Sequence, residues 1–251
     1  MNKHDKFILT PITSVIEETI TASSGFSGGL ESYPLGDYIL QSTFTKMTGF
    51  QEQKAKCIDW VLATNGYEYR ISFIKDVNDK GTYSTYDAKR KVYNALVNEI
   101  IRYSGLRKKS YISDIKQQSN ITPWEDVRLL FEGSNLVSCK QRDYNSFIKS
   151  SSVFLNQYYI VPGNDNETLA LLGQDLKTYY ERDLYRNRNR IAHNTLSYQQ
   201  NLPDFKMLHN ENDLSRNYFF WFSLLALIDE IYIELYKDYL NYLKDNSFFD
   251  E

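Results

Sequence analysis

Apolar side chains recur every three to four residues along several long stretches of this chain, which is the spacing of a helix with one buried face. The pattern is clearest over residues 37–65, where the apolar positions are Ile39, Leu40, Phe44, Met47, Phe50, Ile58, Val61 and Leu62. The same spacing predicts further helices over 12–22, 85–104, 122–132, 140–159, 169–193 and 214–243. The helical stretch 169–193 is one long helix or two that join near Gly173.

Residues with known helix-end preferences stand at several of these boundaries. Gly66 and Gly105 follow the ends of two predicted helices, where glycine is the usual C-terminal cap. Thr122 and Pro123 stand before Glu125, which predicts a helix start with proline at the first position and a capping box. These signals fix boundaries that the apolar spacing alone leaves open.

Other stretches lack the helical pattern. Residues 23–29 are rich in serine and glycine and predict a flexible linker, while residues 194–213 form a polar connector. Residues 67–77 alternate and are rich in aromatic side chains, so they are compatible with a short strand or a helix.

Taken together, these helices and their boundaries predict an all-α protein. It is a helical bundle of four to five main helices with a helical N-terminal extension. We divide the chain into an N-terminal arm with a flexible linker over 1–34, the helical extension over 35–83, and the bundle over 84–251. The first half of the predicted helix 214–243 is apolar nearly all round, so we expect it in a core or at a subunit interface.

Composition excludes several functional classes. The formal net charge is -3, so any nucleic-acid contact must come from a local patch, for which the basic run at 107–109 is one candidate. Cys57 and Cys139 are the only cysteines and belong to no metal motif, so we expect two buried thiols, no metal and no cofactor. We see neither a signal peptide nor a run of about 18 apolar residues, and we expect a cytoplasmic protein without membrane contact.

The strongest candidate chemistry lies at residues 185–194, with the sequence YRNRNRIAHN. On a helix, Arg188 and His193 are separated by about 140° around the axis and about 7.5 Å along it. Both can border one pocket if the helix ends near His193, as the polar residues from Asn194 onward favour. Histidine can transfer protons in both directions near neutral pH, and arginine matches phosphate oxygens. The pair therefore suits metal-free phosphodiester cleavage in RNA, where the 2′-hydroxyl attacks its own phosphate.

One histidine is too few for separate acid and base roles. The other two histidines, His4 and His209, are not evidently near the motif. A two-fold dimer would bring a second His193 and a second Arg188 into one cleft. The long apolar helix that begins at Leu214 supplies a candidate interface for such a dimer.

The run RNRIAH at 188–193 resembles the Arg-polar-x3-His motif of the HEPN superfamily, in which an arginine followed by Asn, Asp or His precedes a histidine near the end of a bundle helix. Arg188, Asn189 and His193 match the motif position by position. The resemblance covers about 166–243 and extends to the helices from 84 onward; residues 1–83 match nothing.

What the resemblance implies is an all-helical domain of toxin–antitoxin, abortive-infection or CRISPR-associated systems. Its implied activity is that of a metal-independent endoribonuclease, active as a dimer, that leaves a 2′,3′-cyclic phosphate and a 5′-hydroxyl. Arg188 would stabilise the phosphate, His193 would be the general acid and base, and Asn189 would orient His193 or the phosphate. An antitoxin or another defence protein is the implied partner.

The motif leaves some assignments open. Arg186 lies seven before His193 and also fits a longer-spaced variant of the motif. We place Arg182, Arg186, Arg190 and Asn194 as candidate contacts to the RNA, with Glu181 and Asp183 as alternative partners of the arginines.

Three alternatives compete with the ribonuclease. In the first, residues 185–194 are only a charged, exposed helix face with a capping histidine. In the second, the domain is an inactive HEPN-like module that dimerises or binds nucleic acid in a defence complex. A weaker third is a small-molecule-binding bundle lined by the chain's 21 tyrosines.

Overall fold

The computed structural model describes residues 2–25, 32–76, 83–106, 111, 122–156, 159–162, 169–192 and 217–247. The first half of the chain forms α1 (Lys3–Leu9), α2 (Ser14–Ser23), α3 (Tyr33–Asn65), α4 (Tyr67–Asp76) and α5 (Tyr86–Ser104). The second half forms α6 (Pro123–Phe131), α7 (Asn135–Cys139), α8 (Gln141–Asn156), β1 (Tyr159–Pro162), β2 (Leu169–Leu172), α9 (Gln174–Tyr179), a π-helical segment (Tyr180–Tyr185), α10 (Arg186–Ala192) and α11 (Tyr218–Ser247). The predicted all-α class is confirmed.

Helix α11 is the centre of the core, and α3, α5 and α6 pack around it. Its first half is buried on every side, as its continuous apolar sequence requires. The buried side chains there are Phe219, Phe220, Trp221, Phe222, Leu224, Leu225, Leu227, Ile228 and Ile231. Of the two expected locations, the core is therefore the one observed. Because these side chains are enclosed within one chain, they are not available as a dimer interface.

Several predicted helix boundaries are observed. Pro123 occupies the first position of α6, Thr85 accepts a hydrogen bond from the Ala88 amide at the start of α5, and Gly105 ends α5 with φ 66°. The predicted capping box before α6 does not form. Glu125 pairs instead with Arg128 one turn along the helix, which offers a charged partner in place of an amide.

The stretch after Gly66, for which the sequence allowed either a strand or a helix, forms helix α4. Arg70 of α4 donates hydrogen bonds to the carbonyl oxygens of Ala63 and Thr64 at the end of α3. These bonds satisfy carbonyls that the end of a helix leaves unpaired. The result is a helix where local sequence alone did not distinguish helix from strand.

The prediction of helix over residues 169–172 is wrong, because they form strand β2. It pairs antiparallel with β1, with Tyr159 opposite Leu172. The Leu172 amide also donates a hydrogen bond to the Tyr86 hydroxyl of α5. A four-residue apolar run carries no period that distinguishes strand from helix, and tertiary pairing decides it.

The N-terminal arm is tied to the core by a buried ion pair. Nζ of Lys54 in α3 lies 2.7 Å from Oδ1 of Asp229 in α11, and both side chains are at most 1% exposed. Asp229 also accepts a hydrogen bond from the Ile12 amide, and Lys54 donates one to the Thr10 carbonyl oxygen. The segment between α1 and α2 is thereby fastened to α3 and α11 through one charged pair.

Candidate functional site

The motif arginines lie on a continuous helical stretch that runs from α9 through the π-helical segment into α10. One face of this stretch is buried, with Leu176, Tyr180 and Leu184 in the core at intervals of four residues. The wider turns at Tyr180–Tyr185 rotate the residues that follow relative to a regular α-helix. Such segments are common at functional sites, and this one ends immediately before Arg186. The orientation of the motif is therefore set by a local irregularity that apolar spacing did not reveal.

Arg188 is anchored to α3, far away in the sequence. Its Nη2 donates a hydrogen bond of 2.7 Å to Oε1 of Glu52, and the two side chains are only 20% and 14% exposed. Its Nη1 donates a second bond of 3.0 Å to Oδ1 of Asn189. The guanidinium is consequently held in one orientation by a carboxylate on one side and by the motif asparagine on another.

Glu52 is a site residue that the sequence reasoning missed. It precedes Arg188 by 136 positions, so no local motif joins them. Thr48 places a polar side chain in the apolar stripe of α3 and lines the recess with Glu52, whereas Gln51 bonds the Leu225 carbonyl oxygen. Buried polar residues occur at other positions of α3 as well, so the stripe alone does not single out this turn.

Lys89 of α5 is the second missed residue. Its side chain is 1% exposed, and its Nζ lies 6.0 Å from the centre of the Tyr180 ring. Burial lowers the pKa of Lys89 to about 7, a shift that Glu52 and Asp229 oppose and Arg188 reinforces. Helical spacing accounts for the burial of Val92, Tyr93 and Leu96 on the same helix but not for that of a lysine.

These groups surround one narrow recess that opens to solvent and whose interior leaves no room for a water molecule. Two buried hydroxyl-bearing residues complete its wall. The Tyr180 hydroxyl donates a hydrogen bond of 2.7 Å to the Ser84 carbonyl oxygen. The Ser84 hydroxyl is buried and has no hydrogen-bond partner within the described residues. The recess thus combines two cations, one carboxylate and an unsatisfied hydroxyl.

The other motif residues have different surroundings. Arg182 is largely exposed and pairs with Asp183 at 2.6 Å, the alternative partner that the sequence suggested. Arg186 is exposed, and Arg190 is partly buried. His193 and Asn194 lie outside the described residues, as does the basic run at 107–109. Arg188 and Asn189 are therefore the predicted catalytic residues that the structure brings into contact.

Cys57 and Cys139 are buried thiols, as expected. Burial raises the pKa of the Cys57 thiol, whose Sγ lies 3.4 Å from Nδ1 of His4. Within the described ranges, no three or more His, Cys, Asp or Glu side chains are grouped so that they could hold a metal ion. No helix in those ranges is both long enough and apolar enough to cross a membrane.

Comparisons of the chain with protein-family models, with curated proteins and with solved structures gave no match.

Proposed function

We propose that this protein is a metal-independent endoribonuclease of HEPN type, with Arg188, Asn189 and His193 as its catalytic residues. The observation that carries the proposal is the anchoring of Arg188 by Glu52 at the rim of a recess. A fixed guanidinium stabilises developing phosphoryl charge better than a mobile one, because no reorganisation is needed during the reaction. In the sequence, His193 directly follows Ala192, the last residue of the motif helix.

The proposed reaction is an internal displacement. The 2′-oxygen of the RNA attacks the adjacent phosphorus, the bond from phosphorus to the 5′-oxygen breaks, and a 2′,3′-cyclic phosphate forms. His193 removes the proton from the 2′-hydroxyl or supplies a proton to the leaving 5′-oxygen. Arg188 binds the non-bridging oxygens through N–H groups other than the two that bond Glu52 and Asn189.

We place the exposed Arg186 and Arg182 along the path of the RNA backbone, with Arg190 and Asn194 as further contacts. Two histidines in one cleft still require two chains, so the proposal includes a homodimer. Since the first half of α11 is enclosed in the core, the interface must use another surface. We further propose a cytoplasmic toxin or anti-phage effector, with an antitoxin or a defence-system protein as partner.

A second candidate function is an inactive HEPN-like module that dimerises or binds nucleic acid in a defence complex. The ion pair between Arg188 and Glu52 favours it, because a paired arginine also serves as a purely structural tie. The two candidates predict different results for His193→Ala, because a binding module would still bind its partner after this substitution.

The test compares RNA cleavage by wild type, Arg188→Ala and His193→Ala. We expect each substitution to lower the cleavage rate by about 100-fold or more, as is typical for loss of a charge-stabilising or proton-transfer group. Lys237→Ala is the matched control, because Lys237 is exposed and pairs with Glu234 within α11. Equal RNA cleavage by all four proteins, or none by wild type, would reject the ribonuclease, and unchanged partner capture by His193→Ala would then favour the module.

A further inference from the structure

Lys89 has no part in the proposed reaction, yet it lies close to Arg188, the residue proposed to stabilise the phosphate. It is buried in the wall of the same recess as Glu52 and Arg188. The Tyr232 hydroxyl donates a hydrogen bond of 2.8 Å to the Lys89 backbone carbonyl oxygen, which fixes the helix turn that carries the lysine. The base of the Lys89 side chain is therefore fixed against α11.

The charges around Lys89 come from four packed elements. Helix α3 contributes Glu52 and Lys54, α10 contributes Arg188, α11 contributes Asp229, and the π-helical segment contributes the ring of Tyr180. Lys54 is already in contact with Asp229 at 2.7 Å. Glu52 is thus the carboxylate for which Lys89 and Arg188 compete.

The recess also holds a donor for a second position of Glu52. The Ser84 hydroxyl lies in its wall, 96% buried, with no hydrogen-bond partner in the part of the chain that the structure describes. A buried donor without an acceptor is costly, so a carboxylate that moves inward gains this bond as well as the attraction of Lys89. The structure shows Glu52 bonded to Arg188, and Lys89 and Ser84 are the groups in the same wall toward which its carboxylate could turn.

We propose that Lys89 is a positioning residue that controls how tightly Glu52 holds Arg188. When Lys89 carries a proton, it draws the Glu52 carboxylate inward and leaves more of the Arg188 charge for a phosphate group, while Asn189 still orients the guanidinium. When Lys89 is neutral, Glu52 stays on Arg188 and offsets its charge. The part of this inference that concerns phosphate rests on the proposed function, whereas the control of the ion pair does not.

Because the pKa of Lys89 is near neutral, its effect on the ion pair between Glu52 and Arg188 changes within an ordinary pH range. Between pH 6 and 8 the lysine passes from mostly protonated to mostly neutral, because burial has brought its pKa to about 7. Phosphate affinity at Arg188 should consequently fall as the pH rises. A lysine with an ordinary pKa would remain charged throughout and would give no such change.

The first experiment follows the Nε–H NMR signal of Arg188 from pH 6 to 8 in the His193→Ala protein, where the nearby histidine cannot titrate. We expect a pH-dependent shift with its midpoint near 7 that Lys89→Met abolishes. Lys91→Met is the matched control, since Lys91 is exposed on the same helix, and it should keep the shift. A flat signal before substitution, or an unchanged shift in Lys89→Met, would overturn the proposal.

The second experiment measures binding of a 2′-O-methyl RNA oligonucleotide, which has no attacking hydroxyl, to the same proteins. We expect affinity to fall about threefold to tenfold from pH 6 to 8, as loss of one partly screened charge would cause, and to be flat in Lys89→Met. If Lys89→Met does not fold, Glu52→Gln serves instead. Without the carboxylate, which raises the pKa of Lys89, the midpoint of the Arg188 signal should move below 7 and the RNA affinity should change less with pH. An Arg188 signal that titrates as expected without any RNA binding or cleavage would reject the proposed function and retain the role of Lys89.

Discussion

Two lysines are buried in the core and both lie near Asp229, but their partners differ. Lys54 touches Asp229 at 2.7 Å and donates a hydrogen bond to the Thr10 carbonyl oxygen. Lys89 has no ion pair within 4.0 Å among the described residues, and the carboxylate it faces, Glu52, bonds Arg188 instead. The first lysine is part of a completed pair, whereas the second belongs to an incomplete cluster.

The difference separates a structural site from a functional one. A completed buried pair offsets part of its desolvation cost and fastens chain segments together, as Lys54 does for the residues between α1 and α2. Burial still lowers the pKa of Lys54, which the Asp229 carboxylate only partly counteracts. An incomplete cluster of charges beside a recess retains that cost and keeps groups available for a ligand. Perturbed titratable groups in such a place are typical of binding and catalytic sites.

The largest expected effect comes from breaking the completed pair. Lys54→Met should lower the free energy of unfolding by about 3–5 kcal/mol, because it leaves the Asp229 carboxylate buried without a cation. Urea denaturation at pH 7 measures the change. Lys46→Met is the control, since Lys46 is 59% exposed and should have little effect. A loss below about 1 kcal/mol for Lys54→Met would mean that the pair does not hold the fold.

Substitution of Lys89 by methionine should change the free energy of unfolding in the opposite direction. Lys89→Met should raise the free energy of unfolding by about 2 kcal/mol at pH 6, because it removes a buried charge while Glu52 keeps Arg188. The unfolded chain holds the lysine proton up to a higher pH than the folded chain, whose Lys89 pKa is about 7. Wild type should therefore gain stability as the pH rises from 7 toward 10, and Lys89→Met should not share that gain.

Urea denaturation of both proteins at pH 6 and pH 9 measures this difference. The advantage of Lys89→Met over wild type should shrink at pH 9. If the substitution destabilises the protein equally at both pH values, then Lys89 is a well-paired cation like Lys54, and the contrast between the two lysines is lost.

A smaller effect is expected at the wall of the recess. Tyr180→Phe should lower the free energy of unfolding by about 1–2 kcal/mol, since the buried Ser84 carbonyl oxygen loses its donor. Thermal unfolding measures the loss, and Tyr38→Phe, at a tyrosine that is 66% exposed, is the control. Equal melting temperatures for the two variants would show that the bond adds nothing.

Much of the helical framework was predictable because its signals are local. Pro123 begins α6 and Gly105 ends α5, where the sequence had placed those boundaries. The burial of Leu176 and Leu184 likewise follows from spacing alone. Each of these features depends on residues within about two turns of one another.

The recess was only half predictable, for a physical reason. Arg188 and Asn189 stand in a recognisable motif, but Glu52 and Lys89 join them through packing of α3 and α5 against the motif helix. A buried lysine contradicts the usual pattern of its residue type, so the apolar period excludes it from the core. The buried hydroxyl of Tyr180 is a further feature that helical spacing does not predict, because its partner, the Ser84 carbonyl oxygen, lies 96 positions away in the sequence.

The most direct test of the account is the chemistry of the RNA ends. Wild type should convert RNA into fragments that carry a 2′,3′-cyclic phosphate and a 5′-hydroxyl, without added metal and not from fully 2′-O-methylated RNA. Arg188→Ala, folded as judged by circular dichroism, should give about 100-fold less of this product. Fragments with 5′-phosphates, cleavage of the methylated RNA, or full activity in Arg188→Ala would contradict a reaction at the recess beside Arg188.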